Sequence, residues 1–600
     1  MKKRNIFIAA AVVIVIAVAL FLVLRARREI VLTEITPPGV VFFAELKNLE
    51  DNWERLAASG FWKELLASSL WRESGWGERV NEISRKIEKD TAIVPSRSNV
   101  MQLIGRDAAA ALIHPDEEGT EITLLLLSRV GLRARALELV SRMGDRLQGS
   151  DKRALVEEEY RGKKLVLIKP STSFPFYAAY TFVGNYLALT LSQDEPPSVL
   201  RKVIDLASRR GESIALAEEK TWRTFRKFSL GPETDGNFYL DVKRLFRLGG
   251  ADGSAIKISG ELTRVEGWNE MVKKLEELGG IFESLSAEFK WGKELKSRIL
   301  ISLNSQKIEE TYGKDFLSSR DRVQAGPETA GFVPSGSIFY LSAQNDFALL
   351  WGKIKELLIG LELDSVKDFL EGLQSWEEEA GVRLEEDVLA GLGNSAALAL
   401  ENVATGILLP VPEAVFIFRV DDRPLLADSM EKIALWLAAK YRLVPRKKDV
   451  SGVAITSVPL PVIAQPAYAF LGDYLLISST RDLLGRIINI RRGGGASLTS
   501  DAAYQNVVAE LKGGGGAFAY LNDYKMSECL LRTGNWWIGM EKLISQEKSK
   551  KKEILFRKKL VPLLNLLKVF KFSGWKKYVE GDVVIQDFYW YIEDKIIPAE

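Results

Sequence analysis

The feature that most restricts how this chain can fold is a thirteen-residue pattern that occurs twice. Residues 182–194 carry Gly184-Asn185-Tyr186-Leu187, and residues 470–482, 288 positions later, carry Gly472-Asp473-Tyr474-Leu475. Each stretch reads as a strand end, a two-residue turn beginning with glycine, a second apolar strand and an acidic helix start. Five of the thirteen positions are identical, and most of the others exchange like for like. A sequence that repeats a turn with its flanking strands predicts an internal duplication.

The surrounding sequence extends the correspondence. An opening strand at Val40-Val41-Phe42-Phe43 has its counterpart at Ile338-Phe339-Tyr340-Leu341. Gly105-Arg106-Asp107-Ala108-Ala109 corresponds to Gly393-Asn394-Ser395-Ala396-Ala397, and Tyr239-Leu240 to Tyr520-Leu521. Short apolar strands arrive in adjacent pairs separated by single or paired helices, which favours antiparallel sheets with helices on one face. The expected fold class is α+β: two homologous tandem units of mainly antiparallel sheet, preceded by a single transmembrane helix. The expected division is an N-terminal signal anchor at 1–29, a first repeat at 30–303, a linker at 304–331 and a second repeat at 332–600.

The anchor rests on residues 6–24, nineteen uncharged apolar or small residues after Lys2-Lys3-Arg4 and before Arg25-Ala26-Arg27-Arg28. A helix of that length spans roughly 28 Å, near the hydrocarbon thickness of a bilayer. The run is long for a cleaved signal peptide and lacks a small-residue cleavage site. The expectation is a single pass through the cytoplasmic membrane, with the bulk of the chain extracytoplasmic, periplasmic or at the cell surface.

Net charge is only +2 in 600 residues, so no overall field favours nucleic acid. Cys529 is the single cysteine, which excludes an intramolecular disulfide and a cysteine-rich zinc site. His114, the single histidine, sits in a Pro-Asp-Glu-Glu-Gly turn context, and its counterpart in the second copy is Asn402. Gly393-Asn394-Ser395-Ala396-Ala397 lacks the second glycine of a nucleophile elbow, and Ser545 and Ser549 match Ser-x-x-Lys by spelling only. Gly493-Gly494-Gly495 and the glycines at 513–516 lack phosphate-loop spacing. The acidic runs at 116–118, 157–159, 377–379 and 385–387 lack the alternation of a calcium loop. No catalytic, cofactor-binding or metal residue is therefore assigned, and no cofactor is expected.

Two features remain. A basic run comprising Lys548, Lys550, Lys551, Lys552, Arg557, Lys558 and Lys559 occurs only in the second copy, as a solvated face or as a contact for anionic lipid or an acidic partner. Trp536-Trp537 and Phe588-Tyr589-Trp590-Tyr591 form aromatic runs that suit a core or an apolar groove.

The opening strand, the Gly-Arg-Asp-Ala-Ala-Ala-Ala strand and the Gly-Asn/Asp-Tyr-Leu hairpin resemble those of bacterial membrane-anchored, internally duplicated proteins of a family known as a domain of unknown function. That resemblance implies an architecture over residues 30–600 and no activity. The function expected is a non-catalytic binding or scaffold module of the cell envelope with a protein or lipid partner. The alternatives are an enzyme with a motif-free site where the repeats meet, and a subunit of a larger envelope assembly.

Overall fold

The computed structural model describes residues 31–592 except 69–70, 73–74, 92–93, 95, 97–98, 100–104, 115–121, 131–154, 171–175, 193–196, 209–213, 232, 250–279, 313–326, 361–363, 406–409, 461–464 and 513–515. The chain divides into two compact units, residues 1–47 with 87–227, and residues 48–86 with 228–600.

The first unit contains β1 (Val40–Leu46), β2 (Ala108–Ile113), β3 (Thr123–Arg129), β4 (Leu155–Tyr160), β5 (Lys163–Ile168), β6 (Tyr177–Val183) and β7 (Tyr186–Ser192). Their order across the sheet is β1-β2-β3-β7-β6-β5-β4, antiparallel throughout. Two turns set the register. Val183 faces Tyr186 across Gly184-Asn185, where Gly184 takes φ +62°. Arg161 and Gly162 both have positive φ between β4 and β5, the backbone that suits a twisted two-residue hairpin. The helix Pro197–Ala207 buries Val199, Leu200, Val203 and Ile204 against β6 and β7. Their spacing is one apolar face of a helix, and burying each contributes about 1.5–3 kcal/mol.

The second unit contains β8 (Gly236–Asp241), β9 (Phe282–Trp291) and β10 (Glu294–Leu303). It continues with β11 (Phe339–Gln344), β12 (Leu392–Thr405), β13 (Pro410–Val420), β14 (Arg446–Val450), β15 (Val453–Ser457), β16 (Ala467–Leu471), β17 (Tyr474–Ser478), β18 (Ala517–Leu521), β19 (Phe570–Glu580) and β20 (Val583–Ile592). Within it, β11 to β17 run in the order β11-β12-β13-β17-β16-β15-β14, the order of β1 to β7 in the first unit. Gly472 takes φ +60° in the matching hairpin, and Ser451-Gly452 repeats the positive-φ pair of Arg161-Gly162. The helix Arg481–Arg491 buries Leu483, Leu484, Ile487 and Ile488, the same stripe as in Pro197–Ala207.

The rest of the second unit's sheet runs β8-β9-β10-β20-β19-β18-β11. Its centre is the ladder between β10 and β20. Tyr239 of β8 faces Ser286, which faces Leu300. Tyr520 of β18 faces Gly574, which faces Tyr589. Leu300 and Tyr589 are therefore matching positions, and so are Arg298 and Asp587 two residues back along each strand. Arg298 and Asp587 also face each other directly in the β10–β20 ladder. A local two-fold axis passes between them. The guanidinium meets the carboxylate in a fork, Nε to Oδ1 at 2.5 Å and Nη2 to Oδ2 at 2.9 Å, while Nη1 donates to the Phe228 carbonyl at 2.6 Å.

Two expectations are corrected here. The α+β expectation of two tandem units, each with its own sheet, does not hold. β8, β9 and β10, all from residues 30–303, share a compact unit and a continuous antiparallel sheet with β11 to β20. The physical reason is the β10–β20 ladder, which pairs the last strands of the two copies over nine residue positions.

The transmembrane, signal-anchor and single-pass reading is corrected as well. Among the described residues no helix is long and apolar enough to cross a membrane, and residues 6–24 lie outside the described residues. The longest described helix, Asp523–Ile544, is interrupted by Lys525, Glu528, Arg532 and Glu541. The cytoplasmic-membrane and extracytoplasmic placement rested on that anchor and falls with it.

The helices Leu49–Ala58 and Gly60–Ala67 belong to the second unit. Arg55 of the first donates to the Trp291 carbonyl at 2.6 Å, and Phe61 of the second packs edge-on to Trp291. The linker expected at 304–331 contains a helix, Ser305–Tyr312, and a short turn, Pro327–Phe332.

Candidate functional site

Between β18 and β19 the chain leaves the sheet as a helical arm, residues 523–567. Asn522 starts it, its side chain accepting the Lys525 N–H at 3.0 Å. The helix Asp523–Ile544 buries Ser527, Cys529 and Ile538. At Ser545 the backbone turns extended, and a second helical run begins with Gln546–Leu555. It widens to a π-turn over Phe556–Leu560 and continues as Val561–Leu567. Pro562 sits at the start of that last segment, where its missing N–H and its ring disfavour an ordinary α-turn behind it.

Phe556 is the buried anchor of the second run. A Cβ on Gly534 would lie 2.1 Å from its ring, so only glycine there admits the phenyl group. Two ion pairs tie the runs together, Lys542 to Glu553 at 2.8 Å and Lys552 to Glu541, and Arg557 holds the same Glu553 at 2.8 Å from within the second run. These carboxylates are consumed inside the arm.

The arm carries a series of exposed apolar side chains. Leu543 is 82% exposed and Ile544 79% exposed at the turn between the runs. Ile554, Leu555 and Trp537 are each more than half exposed. Leu560, Leu563 and Leu567 recur at three- and four-residue spacing and are exposed as well. Lys550, Lys551, Lys558 and Lys559 are exposed among them.

At the base of the arm lies an open groove of about 560 Å³, lined by Gly336, Ile338, Glu401, Asn402, Lys525, Glu528, Arg532 and Lys568 among others. Its charges are held in structural bonds. Lys525 donates to the Gly336 carbonyl at 2.6 Å, Arg532 to Asn402 at 3.3 Å, and Glu401 accepts from Arg486 at 2.6 Å. Lys568 lies 3.7 Å from Glu528. Beside the groove, burial pushes the Asp523 carboxyl up to about 6, and its Oδ2 has no hydrogen-bond partner among the described residues.

The residues singled out from the sequence are scattered. His114 follows β2, its backbone N–H donating to the Gly39 carbonyl, while Asn402 lies in the groove. Glu157 and Glu158 point to opposite sides of β4, one to Lys164 and the other to Arg201, both at 2.6 Å. Glu377 accepts the Leu384 N–H, Glu379 the Trp436 indole, and Glu385 the Lys355 ammonium. Residues 116–118 and 513–515 lie outside the described residues. Gly493 takes φ +86° just past the helix Arg481–Arg491, a helix-ending position. Among the described residues no three His, Cys, Asp or Glu side chains converge as metal ligands would.

Trp536 and Trp537 lie on the arm with ring centroids 6.3 Å apart. In β20, Phe588 stacks on Trp590, while Tyr589 is buried and donates to Asn506 at 2.9 Å. The basic run and the Trp536-Trp537 pair both fall on the arm. The exposure of Leu543 and Ile544 was missed, because Leu-Ile at the end of a helix reads as core.

No protein-family model and no curated protein matches the chain. Among solved structures, one titled "Structure of crystal form I of TP0453" is similar at a TM-score of 0.22 and 9% identity, over 49% of this chain and 86% of that chain.

Proposed function

We propose that the protein is a non-catalytic binding module and that the outer side of the arm is its binding surface. One observation carries this reading: Leu543, Ile544, Ile554, Leu555 and Trp537 all stand more than half exposed on one helical segment. Single exposed aliphatic groups are ordinary on a protein surface, but a cluster on one element marks a contact site. At the base of the arm, by contrast, Lys525 is bonded to Gly336 ahead of β11 and Arg532 to Asn402 of β12.

The test is occupancy. Thiol modification of an Ile544→Cys variant is compared with that of a Leu435→Cys variant, both in host extract and as purified protein. Leu435 is exposed on the helix Arg423–Lys440. Slower modification at 544 in extract, with no change at 435, is the expected result. Equal rates at both positions would remove the reading.

A further inference from the structure

We propose that the arm docks on an anionic lipid surface, with Leu543, Ile544, Ile554 and Leu555 entering the acyl boundary and the lysines beside them meeting the headgroups. This rests on the arm being the binding surface and names its ligand class. The argument is one of charge and side-chain type together. Residues 548–559 hold seven basic side chains and one carboxylate, in a chain whose net charge is +2. That carboxylate, Glu553, is turned to Lys542 and Arg557, so it leaves the outer side cationic.

The side-chain types separate lipid from protein. Protein interfaces are depleted in lysine and enriched in tyrosine, tryptophan and arginine at their centres. Helices that lie in a bilayer interface set aliphatic residues beside lysines, whose long stems let the ammonium rise to the headgroups. Lys550, Lys551 and Lys559 flank exposed Ile554 and Leu555 in the second manner. The arm is also held so that it can present this side. Phe556 is locked over Gly534, and two ion pairs cross between the runs of the hairpin.

The experiment uses the full chain carrying Ile544→Cys, labelled there with an environment-sensitive dye. Cys529 is buried, which directs the label to position 544. Vesicles of phosphatidylcholine alone are compared with vesicles of phosphatidylcholine and phosphatidylglycerol, with and without Lys550→Gln, Lys551→Gln and Lys559→Gln together. Any contribution of residues 6–24 is common to the parent and the triple variant, so the difference between them reports the arm.

The expected result is a blue shift of the dye on the anionic vesicles that salt weakens, with affinity about 100-fold lower in the triple variant. An unshifted dye on bound vesicles, or equal affinity of parent and variant, would overturn the proposal. A shift with soluble polyglutamate and none with vesicles would overturn it too, giving the surface to an acidic protein. Protection of position 544 in extract alongside failure on vesicles would refute the lipid and leave the binding reading standing.

Discussion

The hairpins β9–β10 and β19–β20 hold matching places on either side of the local two-fold axis and differ in chemistry at many matched positions. Arg298 answers to Asp587, Leu300 to Tyr589, and Ser286 to Gly574. The same is true where the arm begins. Asp241 and Asn522 both cap a helix by accepting the N–H three residues on, yet the next residue is Val242 in one copy and Asp523 in the other. The two hairpins share a strand arrangement while their side chains at the axis are complementary. A pair of identical strands meeting on a two-fold axis would set like against like at that axis, whereas two different strands of one chain can place opposite charges there.

Moving first-copy residues into the second copy tests that lesson. The largest effect is expected from Asp587→Arg, which sets two guanidiniums face to face in a largely buried position. The loss is about 3–5 kcal/mol in denaturant unfolding, and adding Arg298→Asp should recover a good part of it by restoring an opposite pair. A double variant no better than the single one would show that the surroundings of the axis, the Phe228 carbonyl among them, are not interchangeable.

Asp523→Val should act in the opposite direction, as a gain. The folded carboxyl titrates near 6, above the ordinary aspartate range, so the folded state favours the protonated form. Its stability contribution is intact below the unfolded value and is lost as pH rises through 6. The parent should therefore weaken by about 2 kcal/mol between roughly pH 4 and pH 7 relative to the variant, read from unfolding midpoints across pH. A parallel pair of pH curves would remove Asp523 as the cause.

Gly574→Ser brings in the side chain of Ser286. A Cβ at 574 would stand 2.1 Å from Val507 Cγ1, so the helix Ala502–Glu510 must shift, at about 1–2 kcal/mol. Adding Val507→Ala should relieve it. The smallest effect is expected from Tyr589→Phe, about 1 kcal/mol for the hydrogen bond to Asn506, in equilibrium unfolding. Leu300 at the matching place has no such bond to lose.

Much of the strand level was legible in the residues. The Gly184 and Gly472 hairpins are chosen locally, by a glycine that adopts positive φ at no steric cost, and local chemistry is what a sequence displays. The placement of β7 beside β3, and of β20 beside β10, joins residues far apart in the chain, and no local pattern encodes it. The arm was half legible. Its lysines stood out as a run, but exposure of Leu543 depends on where the hairpin turns at Ser545, which tertiary contacts at Phe556 and Glu553 decide.

The β10–β20 ladder makes each strand the other's cover. A chain cut within 304–331 and expressed as its front portion would carry β10 as a bare edge of ten residues, an open template for pairing with any other chain. Covalent continuity supplies the missing strand at a high local concentration that dilution does not alter. The single chain therefore protects its own seam from promiscuous pairing at every level of expression.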